Sequence, residues 1–324
     1  MVLESLGILT GLVLLVVGAD RFVIGAASLA RNLGIPPIII GIVIVGIVTS
    51  MPEVLVGSVA ALDGNTEIAI GNAIGSNIAN IGLVLGLTVC ITPFFILSRT
   101  LRREFLVMNL SALLALVVML DRNLDRLDSV LLLLALVIVL LWIVRIARSS
   151  PKSDPLAGEI ERELAHVSST PIAIANLLIG LVALLGGAEL LVSCAVIIAQ
   201  HFGISNLVIG LTIIAVGTSL PELAASIVSV IKKEADIAVG NIIGSNTFNM
   251  LAVIGIPGLI HPSAFSASVV IRDFPVMIAL TLLLGWMVFI QGSGRLSRAN
   301  GIVLLLCFIA YQYWLFTDRA DVMI

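Results

Sequence analysis

Long apolar runs separated by short polar breaks govern the chain from end to end. Charged and turn residues mark off ten such segments, at 5–30, 37–61, 68–92, 104–120, 128–147, 171–200, 206–231, 237–260, 272–290 and 298–316. A helix needs roughly 20 apolar residues to cross about 30 Å of hydrocarbon, and these runs are of that order. The pattern predicts an all-α polytopic membrane protein with ten transmembrane helices. The first run lacks a basic leader and continues to about Ala30, so it is expected to stay as a mature span.

Composition narrows the class. Of 324 residues 60% are hydrophobic and 11% charged, against roughly a quarter charged in a soluble domain. A soluble enzyme, a nucleic-acid binder, a secreted disulfide scaffold and a disordered chain are excluded. Cys90, Cys194 and Cys307 fall inside apolar runs without metal-ligand spacing and read as small buried hydrophobes. His166, His201 and His261 lie in loops or at span ends, and no span carries a His-Glu-x-x-His or Ser/Lys pair. No enzymatic activity is expected.

The placement of charge orients the spans. Loops after odd-numbered segments hold Arg31, Arg99, Arg102, Arg103, Arg145, Arg148, Lys152, Arg162, Lys232, Lys233, Arg295 and Arg298. The opposite side holds Arg122, Arg126, Arg272 and Arg319. By the positive-inside rule the polar linker 149–170 faces the cytoplasm and both termini lie outside.

An internal repeat accompanies this arrangement. At a shift of 169 residues, Thr49-Ser50-Met51-Pro52-Glu53 falls on Thr218-Ser219-Leu220-Pro221-Glu222. Gly71-Asn72 falls on Gly240-Asn241, Gly75-Ser76-Asn77 on Gly244-Ser245-Asn246, and Asn80 on Asn249. Gly34-Ile35, Gly41 and Arg103 also recur, while Asp20 meets Glu189. Each copy holds five spans, an odd number, so the second is inverted. The expected domains are 1–148, the linker 149–170, and 171–324, two inverted five-helix repeats. Inverted repeats typify secondary transporters with a midplane site.

The repeated residues carry the chemistry. Glu53 and Glu222 sit in mid-span, where an ionised group costs at least about 2.5–3.5 kcal/mol and needs a partner. No lysine lies in the central spans, and only Arg21 is a conceivable internal counter-ion, with Asp20 beside it. Pro52 and Pro221 cannot donate to the carbonyls of Val48 and Gly217, so each helix is expected to break there. Thr49, Ser50 and Glu53 share one helix face, as do Thr218, Ser219 and Glu222. Asn72, Ser76 and Asn80 form a polar stripe, matched by Asn241, Ser245 and Asn249. Gly71, Gly75, Gly240 and Gly244 allow close helix packing. Such oxygen donors suit Na⁺ and Ca²⁺. Asn77 and Asn246 sit off the stripe and read equally as ligand support or packing. Asp20 and Glu189 read as gating acids or as the edge of a solvated cavity.

With Thr-Ser-x-Pro-Glu and Gly-Asn-x-x-Gly-Ser-Asn-x-x-Asn each present twice, the whole chain resembles the cation/Ca²⁺ exchanger superfamily. The match is to prokaryotic inner-membrane members of its sodium/calcium exchanger branch. The resemblance implies a core of spans 2, 3, 7 and 8, with spans 1 and 6 sliding outside it, and motifs at 46–80 and 215–249. It implies Glu53 and Glu222 as central ligands shared by Ca²⁺ and Na⁺, with Asn80 and Asn249 as the remaining central pair. Thr49, Ser50, Thr218 and Ser219 correspond to hydroxyl and carbonyl ligands, Ser76 and Ser245 to Na⁺-site serines, and Gly46 and Ala215 to carbonyl ligands. Some relatives carry Asp where Asn249 stands, so this site offers two carboxylates rather than three. The implied function is Na⁺/Ca²⁺ antiport by alternating access, with one Ca²⁺ for three Na⁺ as the default and roles for K⁺ or H⁺ open. A Ca²⁺/H⁺ antiporter is the alternative, although that branch resembles Gly-Asn-x-x-Glu. Expected partners are the transported ions and lipid, with no cofactor, nucleic acid or protein partner.

Overall fold

The computed structural model describes residues 2–35, 37–95, 101–149, 168–202, 215–291 and 294–317. Helices dominate, since a helix satisfies its own backbone donors and acceptors in hydrocarbon. They are α1 (Val2–Leu33), α2 (37–49, with a π turn at Gly41–Gly46), α3 (Met51–Leu62), α4 (Thr66–Ile91), α5 (Leu101–Val118) and α6 (Arg126–Ser149). The second half has α7 (Thr170–His201), α8 (Ala215–Thr218), α9 (Leu220–Ile231), α10 (Ala235–Ile260), α11 (Val269–Gln291) and α12 (Arg298–Thr317). Among the described residues α1, α4, α6, α7, α10, α11 and α12 are each long and apolar enough to cross a membrane alone. Helices α2 and α3 make a further broken crossing, bent by 44°. The stretch 203–214, with Gly203, Ile204 and Gly210 of the repeat, and linker residues 150–167 lie outside the described residues.

Both breaks have the same local cause. Ser50 (φ −85°, ψ 9°) and Ser219 (φ −90°, ψ 4°) leave helical geometry. Pro52 and Pro221 then fall in the first turn of the next helix, where a missing N–H costs nothing. The elements recur at the sequence offset: α3 and α9 have 12 residues each. π turns begin at Asn80 and Asn249.

Helices α10 and α4 form the centre, with α10 buried on every side over its apolar window. Backbones touch there. A Cβ added at Gly46 would lie 2.8 Å from the Ser245 nitrogen, and one at Gly244 would collide with Ile42. Outside this core α1 packs along α7. Gly11 faces Gly187, Gly18 faces Ala183 and Leu184, and Gly25 faces Ala173 and Leu177. Numbers rise along one helix as they fall along the other, so the pair is antiparallel. Glycines at seven-residue spacing let the two large apolar helices approach closely.

Two small strand pairs clip the halves together. β1 (Phe94–Phe95) pairs with β4 (Arg295–Leu296), and β2 (Asn123–Leu124) with β3 (Ser263–Ala264), both antiparallel. The Thr66 hydroxyl donates to the His261 carbonyl at 2.5 Å, and Glu67 accepts from the Ser266 nitrogen at 2.7 Å. Each clip requires the loops it joins to lie on one face of the molecule.

Candidate functional site

The helix breaks bring the two glutamates inward. Glu53 and Glu222 stand in the first turns of α3 and α9, 1% and 0% exposed. A helix N-terminus is favourable for a carboxylate, which offsets part of the cost of burying it. The halves interlock here: the Ser50 hydroxyl donates to Glu222 Oε1 at 3.4 Å. Thr49 and Ser50 face Glu222 as Thr218 faces Glu53, and the carboxylates are close enough to feel each other's charge.

Around them lies a shell of neutral oxygens. The Thr49 hydroxyl sits 3.0 Å from the Val45 carbonyl and 3.1 Å from Asn241 Oδ1. Ser245 donates to the Gly46 carbonyl at 3.0 Å, placing Gly46, Thr49 and Ser245 in one polar knot. Asn241 is held in turn by its bonds to the Ser226 hydroxyl (3.1 Å) and the Glu222 carbonyl (3.3 Å). Ser76, Ser219, Asn80 and Asn249 are all buried. Helix α8, with Ala215 and Thr218, packs against α4, which carries Ser76.

Among the described residues several of these oxygens have no protein partner. Glu53 Oε2, Glu222 Oε2, Asn80 Oδ1, Asn249 Oδ1 and the Ser219 hydroxyl are buried and unbonded. A buried polar atom without a partner costs about 1–3 kcal/mol, more if charged. Carboxylate and amide oxygens are the donor chemistry that hard cations take. Among the described residues no basic side chain is bonded to them. Arg272, the buried arginine among the described residues, is bonded to Asp273 at 2.8 Å, and Arg21 reaches Asn176 at 3.4 Å rather than the glutamates.

Other expected residues lie elsewhere. Asp20, on α1, pairs with Lys232 at 2.7 Å. Glu189, on α7, is exposed and accepts from Ser193 at 3.1 Å. Both are on the outer helices, away from the glutamates. Gly244 packs against α2, and a Cβ at Gly41 would sit 3.0 Å from Gly240. Among the described residues nothing lies within 4 Å of a Cβ at Gly71 or Gly75. The segment the repeat would bring there falls in 203–214.

Three features went unread in the sequence. Ser226 supports Asn241 although its repeat counterpart is Gly57, so the internal comparison passes over it. The Arg31–Glu234 ion pair joins the last turn of α1 to the turn before α10, distant in sequence. The π turns that begin at Asn80 and Asn249 leave no signature in apolar periodicity, although such turns favour functional sites.

Comparison with known proteins agrees with this geometry. The profile of the family described as "Sodium/calcium exchanger protein" matches residues 4–145 and 172–317. A relative named putative antiporter CaxA, from Alkalimonas amylolytica, is 47% identical over 98% of this chain and 100% of its own. Inner membrane protein YrbG of Escherichia coli is 41% identical over 97% and 98%. Sodium/calcium exchanger MaX1 of Methanosarcina acetivorans is 31% identical over 95% and 97%. The solved structure of the sodium-calcium exchanger NCX_Mj superposes with a TM-score of 0.83, at 33% identity, over 98% of this chain and 99% of its own. Across nearly its whole length, therefore, the chain belongs to the sodium/calcium exchanger family.

Proposed function

We propose that this protein is a Na⁺/Ca²⁺ antiporter of the inner membrane, in which the two ions compete for one midplane site by alternating access. The observation that carries this is the set of unbonded oxygens on Glu53, Glu222, Asn80 and Asn249, two from each half of the chain. Calcium takes the two carboxylates with the central amide oxygens. Sodium uses the same glutamates with flanking groups: Gly46, Thr49 and Ser245 on one side, Ala215, Thr218 and Ser76 on the other. Ser50 and Ser219 complete the shell.

Coupling follows from charge. Empty, the site carries two buried negative charges and cannot reorient at low cost; loaded, it can. The fold is ten spans in two inverted five-helix repeats, 1–148 and 171–324, with α2–α3 and the span ending in α9 as broken crossings. The strand clips support this count. β1 and β4 both lie in loops after odd-numbered spans, while β2 and β3 follow even-numbered ones. Both termini then lie outside and the 149–170 linker in the cytoplasm. The E. coli relative is named an inner membrane protein.

Purified protein in Na⁺-loaded liposomes is expected to take up ⁴⁵Ca²⁺ saturably, and a Na⁺ ionophore is expected to stop it. Ca²⁺ entry that never saturates and needs no internal ion would instead mark a channel. A second expectation concerns Asp20, whose bond to Lys232 fastens α1 to the end of α9. An exposed ion pair is worth at most about 1 kcal/mol. Asp20→Asn should therefore change the turnover rate by no more than roughly fivefold. Complete loss of flux in that variant would move Asp20 from gate to ligand.

A further inference from the structure

Asparagine is an ambiguous ligand. Its amide presents an oxygen or an NH₂ of almost the same size, and only the oxygen attracts a cation. Something must choose between them. At Asn80 and Asn249 helix packing alone does not, because both begin π turns.

The choice can be traced through hydrogen bonds. The Asn246 backbone carbonyl can only accept, and Asn77 Nδ2 donates to it at 3.1 Å. Asn77 Oδ1 must then point the other way, where it accepts from Asn249 Nδ2 at 3.0 Å. That bond uses the nitrogen end of Asn249 and leaves its Oδ1 buried and unbonded. The second arm carries the same amide-to-amide bond at the 169-residue offset. Asn80 Nδ2 donates to Asn246 Oδ1 at 3.0 Å, and Asn80 Oδ1 is left unbonded. All four side chains are at most 2% exposed. Each bond crosses from α4 to α10, so each half of the chain orients the ligand of the other.

We infer that Asn77 and Asn246 are positioning residues that fix the amides of Asn249 and Asn80 with oxygen, not nitrogen, toward the cation. This rests on the Na⁺/Ca²⁺ reading above. Preorganisation of this kind raises affinity by removing the cost of ordering the ligand on binding. Loss of a residue that orients a metal ligand typically costs about 10–100-fold in affinity.

The test exploits a difference between amide and carboxylate. A carboxylate has oxygen at both ends, so an Asp at 249 needs no orienting partner. Asn77→Ala alone is expected to raise the apparent KM for ⁴⁵Ca²⁺ uptake into proteoliposomes by at least about tenfold, with Vmax retained. In an Asn249→Asp background the same Asn77→Ala change is expected to move KM by less than about twofold, the ordinary scatter of additivity. The other arm gives a parallel cycle, Asn246→Ala with and without Asn80→Asp. Equal KM penalties in both backgrounds would overturn the inference, because a purely structural role is indifferent to what occupies 249 or 80. Loss of folded protein in both alanine variants, unrelieved by the aspartates, would overturn it too. Wild-type protein that moves no ⁴⁵Ca²⁺ in any gradient would refute the exchanger reading itself, which is a separate outcome.

Discussion

Replacing either Glu53 or Glu222 with glutamine is expected to abolish Na⁺-dependent ⁴⁵Ca²⁺ flux in proteoliposomes. The substitution keeps the side-chain volume, so packing around α3 and α9 is preserved and the effect isolates charge. With both carboxylates present, one Ca²⁺ is neutralised by its ligands. With one removed, a net charge stays in a site that is 0–1% exposed. Removing one partner of a buried ion pair costs about 3–5 kcal/mol, or roughly 10²–10⁴ in affinity. The two variants should be equally inactive, because each carboxylate comes from one copy of the same repeat. Flux near the wild-type level in either one would remove that glutamate from the site, and a large difference between them would break the pseudo-symmetry.

Much of this was legible in the residues, for identifiable reasons. Apolar runs located the described helices to within three residues, because length and hydropathy decide what can cross hydrocarbon. The breaks at Ser50 and Ser219 followed from Pro52 and Pro221. The internal repeat singled out Thr49, Ser50, Asn241 and Ser245, which the structure bonds to one another or to Glu222, since identical polar residues in two apolar halves have few other causes. What stayed hidden was orientation. Asp20 and Glu189 are repeat partners, yet they lie on α1 and α7, and nothing in their spacing places those helices outside the core. The direction of the Asn77 and Asn249 amides depends on one backbone carbonyl, at Asn246, in another element. A linear sequence lists the donors and acceptors at 77, 80, 246 and 249 without saying which will face which.

With Na⁺ replaced by choline on both sides, Ca²⁺ uptake is expected to fall to the level of protein-free liposomes, and a pH gradient alone should not restore it. Two neighbouring buried carboxylates are by themselves a competent proton carrier, so the glutamates do not separate Na⁺ from H⁺. The surrounding oxygens do. A proton needs only a carboxylate oxygen, whereas an alkali cation needs several donors converging on one point. Gly46, Thr49 and Ser245 converge in this way, with Ser245 3.0 Å from the Gly46 carbonyl and 3.5 Å from the Thr49 hydroxyl. A proton carrier would have no use for a serine and a threonine directed at the Gly46 carbonyl. Imposing Na⁺, K⁺ and H⁺ gradients one at a time on the same vesicles separates the possibilities. Uptake driven by a pH gradient in the complete absence of Na⁺ would make this a Ca²⁺/H⁺ antiporter. Uptake that follows the Na⁺ gradient can be taken one step further through charge. One Ca²⁺ neutralises two carboxylates, while three Na⁺ leave the site at +1, so three-for-one exchange moves net charge. With Na⁺ inside and Ca²⁺ outside, an inside-positive potential should then accelerate uptake, and indifference to voltage would point instead to two Na⁺ per Ca²⁺.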